Sequence, residues 1–332
     1  MHLPGCLRKG RTFRLAREQG LSNGKAYILL KNIQHVLIDL TLLMSTERKS
    51  ILSMGLTAKA GSKNMSAPKI SGYLKSDAGI ILVPVCLIML AELLLLAGRE
   101  YISIWMHVGI VMLLAFATTF VHKRELTMVF QALMLLSLLR LVNISMPVFF
   151  EKTLYIFVFT YAPLLIPIII VLRAQDFRFS WRISEEMKRN RILYSLIAVI
   201  AAVAIAEGEY AIIEAGYLIP DLSFSSLLQL SIVMIFFVGL VEEIIFRYIL
   251  QTRLEQVLGT WPALLTASIL FGVMHSGYGT IYEVLMTGIA GLVIGYLYVR
   301  TRSLYLITLI HGLTNVFLFG IIPHLGPGLG LL

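Results

Sequence analysis

Charged residues and cysteines are both scarce in this sequence. Only 14% of the 332 residues are charged, and only two are cysteines. Soluble domains carry about 25% charged residues, so the chain has too few to cover a water-exposed surface. Cys6 lies in a basic segment, Cys86 lies in an apolar run, and no CxxC spacing occurs, which argues against a disulfide and a cysteine-type zinc site. With 58% hydrophobic residues and a mean hydropathy of +0.84, the composition indicates a polytopic membrane protein.

Acidic residues are fewer than basic ones, 19 against 28, which gives a formal net charge of +9. In a membrane protein, basic residues in loops determine the orientation of the spans and contact anionic lipid headgroups. We therefore expect the lipid bilayer as a partner and no nucleic acid. The basic residues concentrate in alternate loops, for example at 122–124 and at 300–302. This pattern predicts a multi-pass protein of the cell membrane, with a cytoplasmic N-terminus and a C-terminus outside.

The N-terminal region, residues 1–78, is polar and basic. It lacks the apolar stretch and small-residue cleavage site of a signal peptide. We predict a cytoplasmic segment that is partly disordered or lies at the membrane interface. Because Met65 opens a plausible protein start, we also expect residues 1–64 to be a dispensable extension.

Apolar stretches long enough to suggest membrane spans follow this region. A span needs about 20 apolar residues, and in lipid only helices and closed barrels satisfy their backbone polar groups. We therefore predict an all-α bundle of about eight to nine transmembrane helices, the seventh candidate being short. The candidates are 79–98, 101–121, 126–145, 152–173, 192–217, 225–250, 262–277, 280–299 and 304–322.

The sixth candidate span contains two adjacent carboxylates, Glu242 and Glu243, and a guanidinium, Arg247. Each ionisable group in hydrocarbon costs at least about 2.5–3.5 kcal/mol on insertion scales, so such groups usually have a function. Glu243 and Arg247 are four residues apart and share a helix face, which predicts an ion pair. Glu242 points about 100° away on the helix and is left for other chemistry.

Two later spans carry polar residues at helical spacing. His275 lies four residues after Phe271, and Asn315 lies four residues after His311, so each pair shares one helix face. One common cavity would satisfy all these groups together, which we predict. Depth supports this only in part: His311 lies about 10 Å and His275 about 20 Å from the cytoplasmic ends of their spans at about 1.5 Å per residue. A shorter, shifted or tilted seventh span would remove the difference.

These groups suit peptide hydrolysis. Glu242 can take a proton from water, His275 can hold that water or pass the proton on, and His311 with Asn315 can donate hydrogen bonds to the oxyanion. Arg247 would keep Glu243 ionised and fix the helix. Zinc is the alternative, with His275, His311 and a glutamate as ligands. HExxH is absent, and spacing alone leaves the zinc and metal-free mechanisms both open.

The three motifs resemble those of the CPBP family, the CAAX proteases and bacteriocin-processing enzymes also called Abi. The family pattern is EExxxR, FxxxH and HxxxN or HxxxD, matched here at 242–247, 271–275 and 311–315. The resemblance implies helices at 79–217 followed by a CPBP/Abi catalytic core at 218–332. It implies an intramembrane endopeptidase of the CAAX prenyl protease type, acting on a membrane-tethered and, in eukaryotic members, prenylated peptide or protein. Members have been classed both as metalloproteases and as metal-free glutamic proteases.

Two other functions are compatible with the same residues. A non-catalytic membrane scaffold or bacteriocin-immunity-type protein could retain the motifs without turnover. A proton-coupled transporter could use intramembrane Glu and His as a relay, but it is expected to show two related halves, and we find no convincing repeat.

Overall fold

A computed structural model describes residues 77–145, 154–177 and 185–330 of the chain. Residues 1–76, and with them the predicted extension 1–64, lie outside the described residues. No strand occurs in the described part. The helices are α1 (Asp77–Leu96), α2 (Glu100–Phe120), α3 (Arg124–Ser145), α4 (Tyr155–Ala174), α5 (Glu185–Arg189), α6 (Arg191–Ile213), α7 (Phe224–Leu258), α8 (Thr260–Val273), α9 (Ile281–Thr301) and α10 (Leu304–Leu325).

Eight of the described helices are long and apolar enough to cross a membrane, which confirms the polytopic all-α fold. The two exceptions are α5 and α8. The predicted seventh span, 262–277, corresponds to α8, which ends at Val273 after only 14 residues. At about 1.5 Å per residue α8 is about 21 Å long, less than the roughly 30 Å of a bilayer core. Residues after Val273 therefore leave the helix before it could complete a crossing.

Sequence-adjacent helices pack as hairpins: α1 with α2, α2 with α3, and α8 with α9. The long-range contacts are made chiefly by α10, which packs against α6 and α7. Helix α10 is accordingly the most enclosed candidate span, with 72% of its most apolar window buried. The division predicted between residues 217 and 218 stays a prediction.

One end of the bundle carries several ion pairs between loops and helix ends. The ion pairs join the first residues of α1 and α3 to the last residues of α4, and the last residues of α7 to those of α9. Hydrogen bonds from Arg253, near the end of α7, to Gln175, just after α4, place all five at the same end. We call this the basic end. The pairs are Lys123 with Asp77, Arg124 with Asp176 at 2.6 Å, and Arg302 with Glu255 at 2.7 Å.

Helix α7 is continuous for 35 residues but is not uniformly α-helical. Residues Val233–Gly239 and Ile244–Gln251 are π-helical, and the four residues Leu240–Glu243 between them are α-helical. π-helical turns are rare and often occur at functional sites. The wider turns change which side chains share a face, so simple spacing of 3.6 residues does not describe this helix.

Helices α7 and α10 approach each other closely at two glycines. A Cβ atom on Gly312 would lie 2.6 Å from Cγ1 and 2.7 Å from Cα of Ile235, and one on Gly239 would lie 3.0 Å from the backbone nitrogen of Gly312. No side chain fits at those distances. This contact brings His311, which precedes Gly312, against the acidic segment of α7.

Candidate active site

Glu243, Arg247 and His311 form one buried cluster. Nη1 of Arg247 donates to Oε1 of Glu243 at 2.9 Å, so the ion pair expected from their spacing is present. Nδ1 of His311 lies 2.7 Å from the same carboxylate oxygen. Because an ionised carboxylate can only accept, we assign the Nδ1 proton to His311 in this bond. Glu243 therefore orients the imidazole of His311 while its charge is balanced by Arg247.

Glu242 faces a different set of partners. Its Oε1 accepts a hydrogen bond from the hydroxyl of Tyr161, in the middle of α4. Its Oε2 is buried, has no hydrogen-bond partner among the described residues, and lies 3.8 Å from Nε2 of His311. As predicted, Arg247 pairs with Glu243 and makes no hydrogen bond to Glu242.

The guanidinium of Arg247 is enclosed by α8 and α9. It lies 4.2 Å from the ring centroid of Phe271 in a cation–π arrangement, and its Nη2 donates to the carbonyl oxygen of Gly291 at 3.2 Å. One turn later, Gln251 donates in the same way to Gly295. Gly291 and Gly295 form a GxxxG spacing on α9. Because neither residue has a side chain, their carbonyls are accessible and α9 can pack closely on α7.

His275 follows α8 in the turn before α9. Its Nδ1 lies 2.8 Å from the carbonyl oxygen of Phe271. The ring of Phe271 contacts both histidines, with centroid distances of 4.8 Å to His275 and 5.7 Å to His311. His275 thus joins the cluster through Phe271.

Asn315 lies one turn after His311 on α10. It is 8% exposed, and its side chain has no hydrogen-bond partner in the described part of the chain. Its amide is therefore free to bind water or a ligand, since buried polar groups are almost always satisfied.

The candidate residues were also compared with the arrangement that a zinc ion requires. Within the described residues, no three His, Cys, Asp or Glu side chains are arranged to hold one metal ion. Nδ1 of each histidine contacts a protein oxygen, Glu243 for His311 and a carbonyl for His275, an arrangement that leaves Nε2 of each ring for a ligand. As they stand, these side chains do not form a three-ligand zinc site, and we derive no step through a metal.

Tyr161 was not anticipated from the sequence. It lies in a strongly apolar span and has no motif around it. The signal available in the sequence was Pro163. In the structure it lies in a turn that breaks α4 into Tyr155–Tyr161 and Leu165–Ala174. Irregular backbone at membrane depth is tolerated only inside the protein or beside water, so such a break points to a buried site.

The fold and these contacts define a class: a multi-pass helical membrane protein with a buried glutamate–histidine site built from α4, α7, α8 and α10. Residues 224–317 match the family model described as "Type II CAAX prenyl endopeptidase Rce1-like". This segment covers less than half of the chain but contains all six candidate residues. The match agrees with the resemblance to the CPBP family that the three motifs show. Searches of curated proteins and of solved structures each gave no significant match.

Proposed function

We propose that this protein is an intramembrane endopeptidase of the CAAX prenyl protease type that uses a water activated by Glu242. The observation that carries the proposal is the free, buried Oε2 of Glu242, 3.8 Å from Nε2 of His311. Two atoms at that separation can both lie within hydrogen-bond distance of one water oxygen. A water held there would have an acceptor for its proton and fixed neighbours that orient it.

In this mechanism Glu242 takes a proton from the water as its oxygen attacks the carbonyl carbon of the scissile bond. The tetrahedral intermediate carries its negative charge on the former carbonyl oxygen. The Asn315 amide can donate to this oxyanion, and His311 can donate to it through Nε2 only when both ring nitrogens carry a proton. The proton then passes to the leaving nitrogen, by way of Glu242 or His275, and the carbon–nitrogen bond breaks.

The supporting residues have orienting roles. Arg247 holds Glu243, and Glu243 in turn holds His311 through its Nδ1. Tyr161 fixes Oε1 of Glu242, so that only Oε2 remains to accept the proton. All six motif residues thus belong to one chemical unit, with Tyr161 added from α4.

The substrate proposed is a peptide or protein tethered to the membrane, with a prenyl chain as the tether. The site lies among helices of a bundle whose outer surface carries large apolar side chains, for example Phe116, Ile170 and Ile200. A substrate that already lies in the bilayer would reach such a site without leaving the lipid.

The decisive variant is Glu242→Gln, assayed with purified protein on a farnesylated peptide. It keeps the shape of the side chain but removes the base, and general base catalysis contributes about 10²–10⁴-fold. We expect kcat to fall by about that factor. Glu255→Gln is the matched control, because Glu255 lies on the same helix but pairs with Arg302 at the basic end.

Retention of activity in Glu242→Gln would remove the mechanism, and a wild-type protein that cleaves no membrane-tethered peptide would remove the function. The same assay with a chelator, together with metal analysis of the active protein, distinguishes a zinc-dependent mechanism from a metal-free one. We expect activity to persist without bound metal. Loss on chelation and recovery with Zn²⁺ would instead favour the metal form.

A further inference from the structure

A second buried polar cluster joins α1 and α3 to the turn that carries His275. Nε and Nη2 of Arg140 donate to the two carboxylate oxygens of Glu92 at 2.8 and 2.7 Å, in a bidentate pair. Both side chains are buried, Glu92 at 0% and Arg140 at 5% exposure.

The pair contacts the backbone and side chains on both sides of His275. Nη2 of Arg140 also donates to the carbonyl oxygen of Met274, the residue before His275. The hydroxyl of Ser276, the residue after it, donates to Oε2 of Glu92 at 2.6 Å. His275 is therefore bracketed by two contacts to one ion pair.

Further groups from α2 and α3 complete the cluster. Nε2 of His107 lies 3.2 Å from Oε1 of Glu92, and its Nδ1 lies 3.2 Å from the hydroxyl of Ser137. All these side chains are buried. The cluster thus ties three helices that precede the matched segment to one turn inside it.

The internal hydrogen bonds of the turn are all local, to the end of α8 or within the turn itself. It contains a short 3₁₀ segment, Ser276–Tyr278, with backbone bonds from His275 to Gly272 and from Tyr278 to His275. A side chain outside a regular helix takes its position from its neighbours. A buried ion pair adds little net stability, because apolar residues of similar volume often stabilise the folded protein equally well. A role in fixing geometry accounts better for this one.

We propose that Glu92 and Arg140 are positioning residues that hold the turn 274–276 and thereby place His275 in the active site. The N-terminal helices α1 and α3 would then supply part of the active-site geometry that the Rce1-like segment lacks by itself. The inference about catalysis rests on the proposed function, whereas the mechanical part, that the pair holds the turn, does not.

The test compares two serine-to-alanine variants of the full chain. Ser276→Ala removes the contact between the turn and Glu92. Ser268→Ala is the matched control: Ser268 is equally buried on α8 but bonds only to the carbonyl of Leu264 in its own helix. Arg140→Lys is a second variant, which keeps the charge but loses the planar fork that contacts Glu92 and Met274 together.

Two measurements are made on each variant. Amide hydrogen exchange of residues 274–279, followed by mass spectrometry, reports the turn without any need for activity. The loss of one hydrogen bond changes an opening equilibrium by up to about tenfold. We therefore expect amide exchange to be about tenfold faster in Ser276→Ala and unchanged in Ser268→Ala. Misplacement of a catalytic group by about 1 Å can lower the reaction rate about 100-fold. In Ser276→Ala we therefore expect kcat to fall about 10- to 100-fold, with KM within about twofold of the wild-type value.

Unchanged exchange at 274–279 in both Ser276→Ala and Arg140→Lys would overturn the inference, whatever the activity. Faster exchange with unchanged kcat would overturn the positioning role in catalysis. If the wild type cleaves no peptide, the proposed function fails, but the exchange measurement still decides whether the ion pair holds the turn.

Discussion

At the scale of single residues, Glu242 and Glu243 are neighbours with different surroundings. Oε1 of Glu243 is bound by both Arg247 and His311, whereas its Oε2 is buried without a hydrogen-bond partner among the described residues. Glu242 has a hydroxyl on one oxygen and nothing from the described protein on the other. The spacing of four residues predicted which glutamate the arginine would take. It could not predict Tyr161, which comes from a helix about 80 residues earlier.

The contact from Tyr161 gives a prediction at this scale. Tyr161→Phe removes one hydrogen bond to the base while leaving the ring in place, so we expect kcat to fall about tenfold with little loss of stability. Tyr155→Phe, on the same helix but exposed, is the control and should behave as the wild type. Peptide cleavage by purified protein measures both. Equal rates in the two variants would show that Tyr161 does not support Glu242.

At the scale of helices, the site depends on how closely α7 and α10 approach. Gly312 leaves room for the backbone of Ile235, and Gly239 leaves room for Gly312. Small residues allow such contacts between membrane helices, where packing rather than hydrophobicity drives association. The approach allows Nδ1 of His311 to reach Glu243 at 2.7 Å.

Gly312→Ala should therefore push α10 away from α7. The new methyl group would lie within 3 Å of Ile235, including its backbone, which cannot move aside easily. A displacement of about 1 Å is expected to reduce kcat about 100-fold. Gly216→Ala is the control, because a Cβ atom there meets nothing within 4 Å. Wild-type kcat in Gly312→Ala would mean that the helices accommodate the methyl group without moving His311.

At the scale of the whole molecule, the charges are distributed unevenly between the two ends. The basic end carries Lys123, Arg124, Arg302 and their partners, whereas the loop before α7 carries the acidic Asp221. Hydrogen bonds from Ser223 and Ser226 hold the pKa of the exposed Asp221 carboxyl below its usual value. By the positive-inside rule we propose that the basic end faces the cytoplasm, which also places the N-terminal end of α1 there.

Cysteine labelling in intact cells tests this orientation. Thr260, at the start of α8, and Ser225, at the start of α7, are exposed, uncharged and at opposite ends of the bundle. In a chain with Cys6 and Cys86 replaced by Ser, a membrane-impermeant maleimide should label Ser225→Cys from outside. It should label Thr260→Cys only after permeabilisation. The reverse pattern would invert the topology.

Apolar length and helical spacing are local properties that need no partner, so the amino-acid sequence alone predicts the membrane class, the all-α fold and the three motifs. It also predicted the Glu243–Arg247 pair, whose members lie one turn apart. The folded chain was needed to find the early end of α8, the contact of Tyr161 with Glu242, and the contacts of Glu92 and Arg140 on both sides of His275. The last two features join helices far apart in the chain, and such contacts follow from packing, which no local pattern encodes.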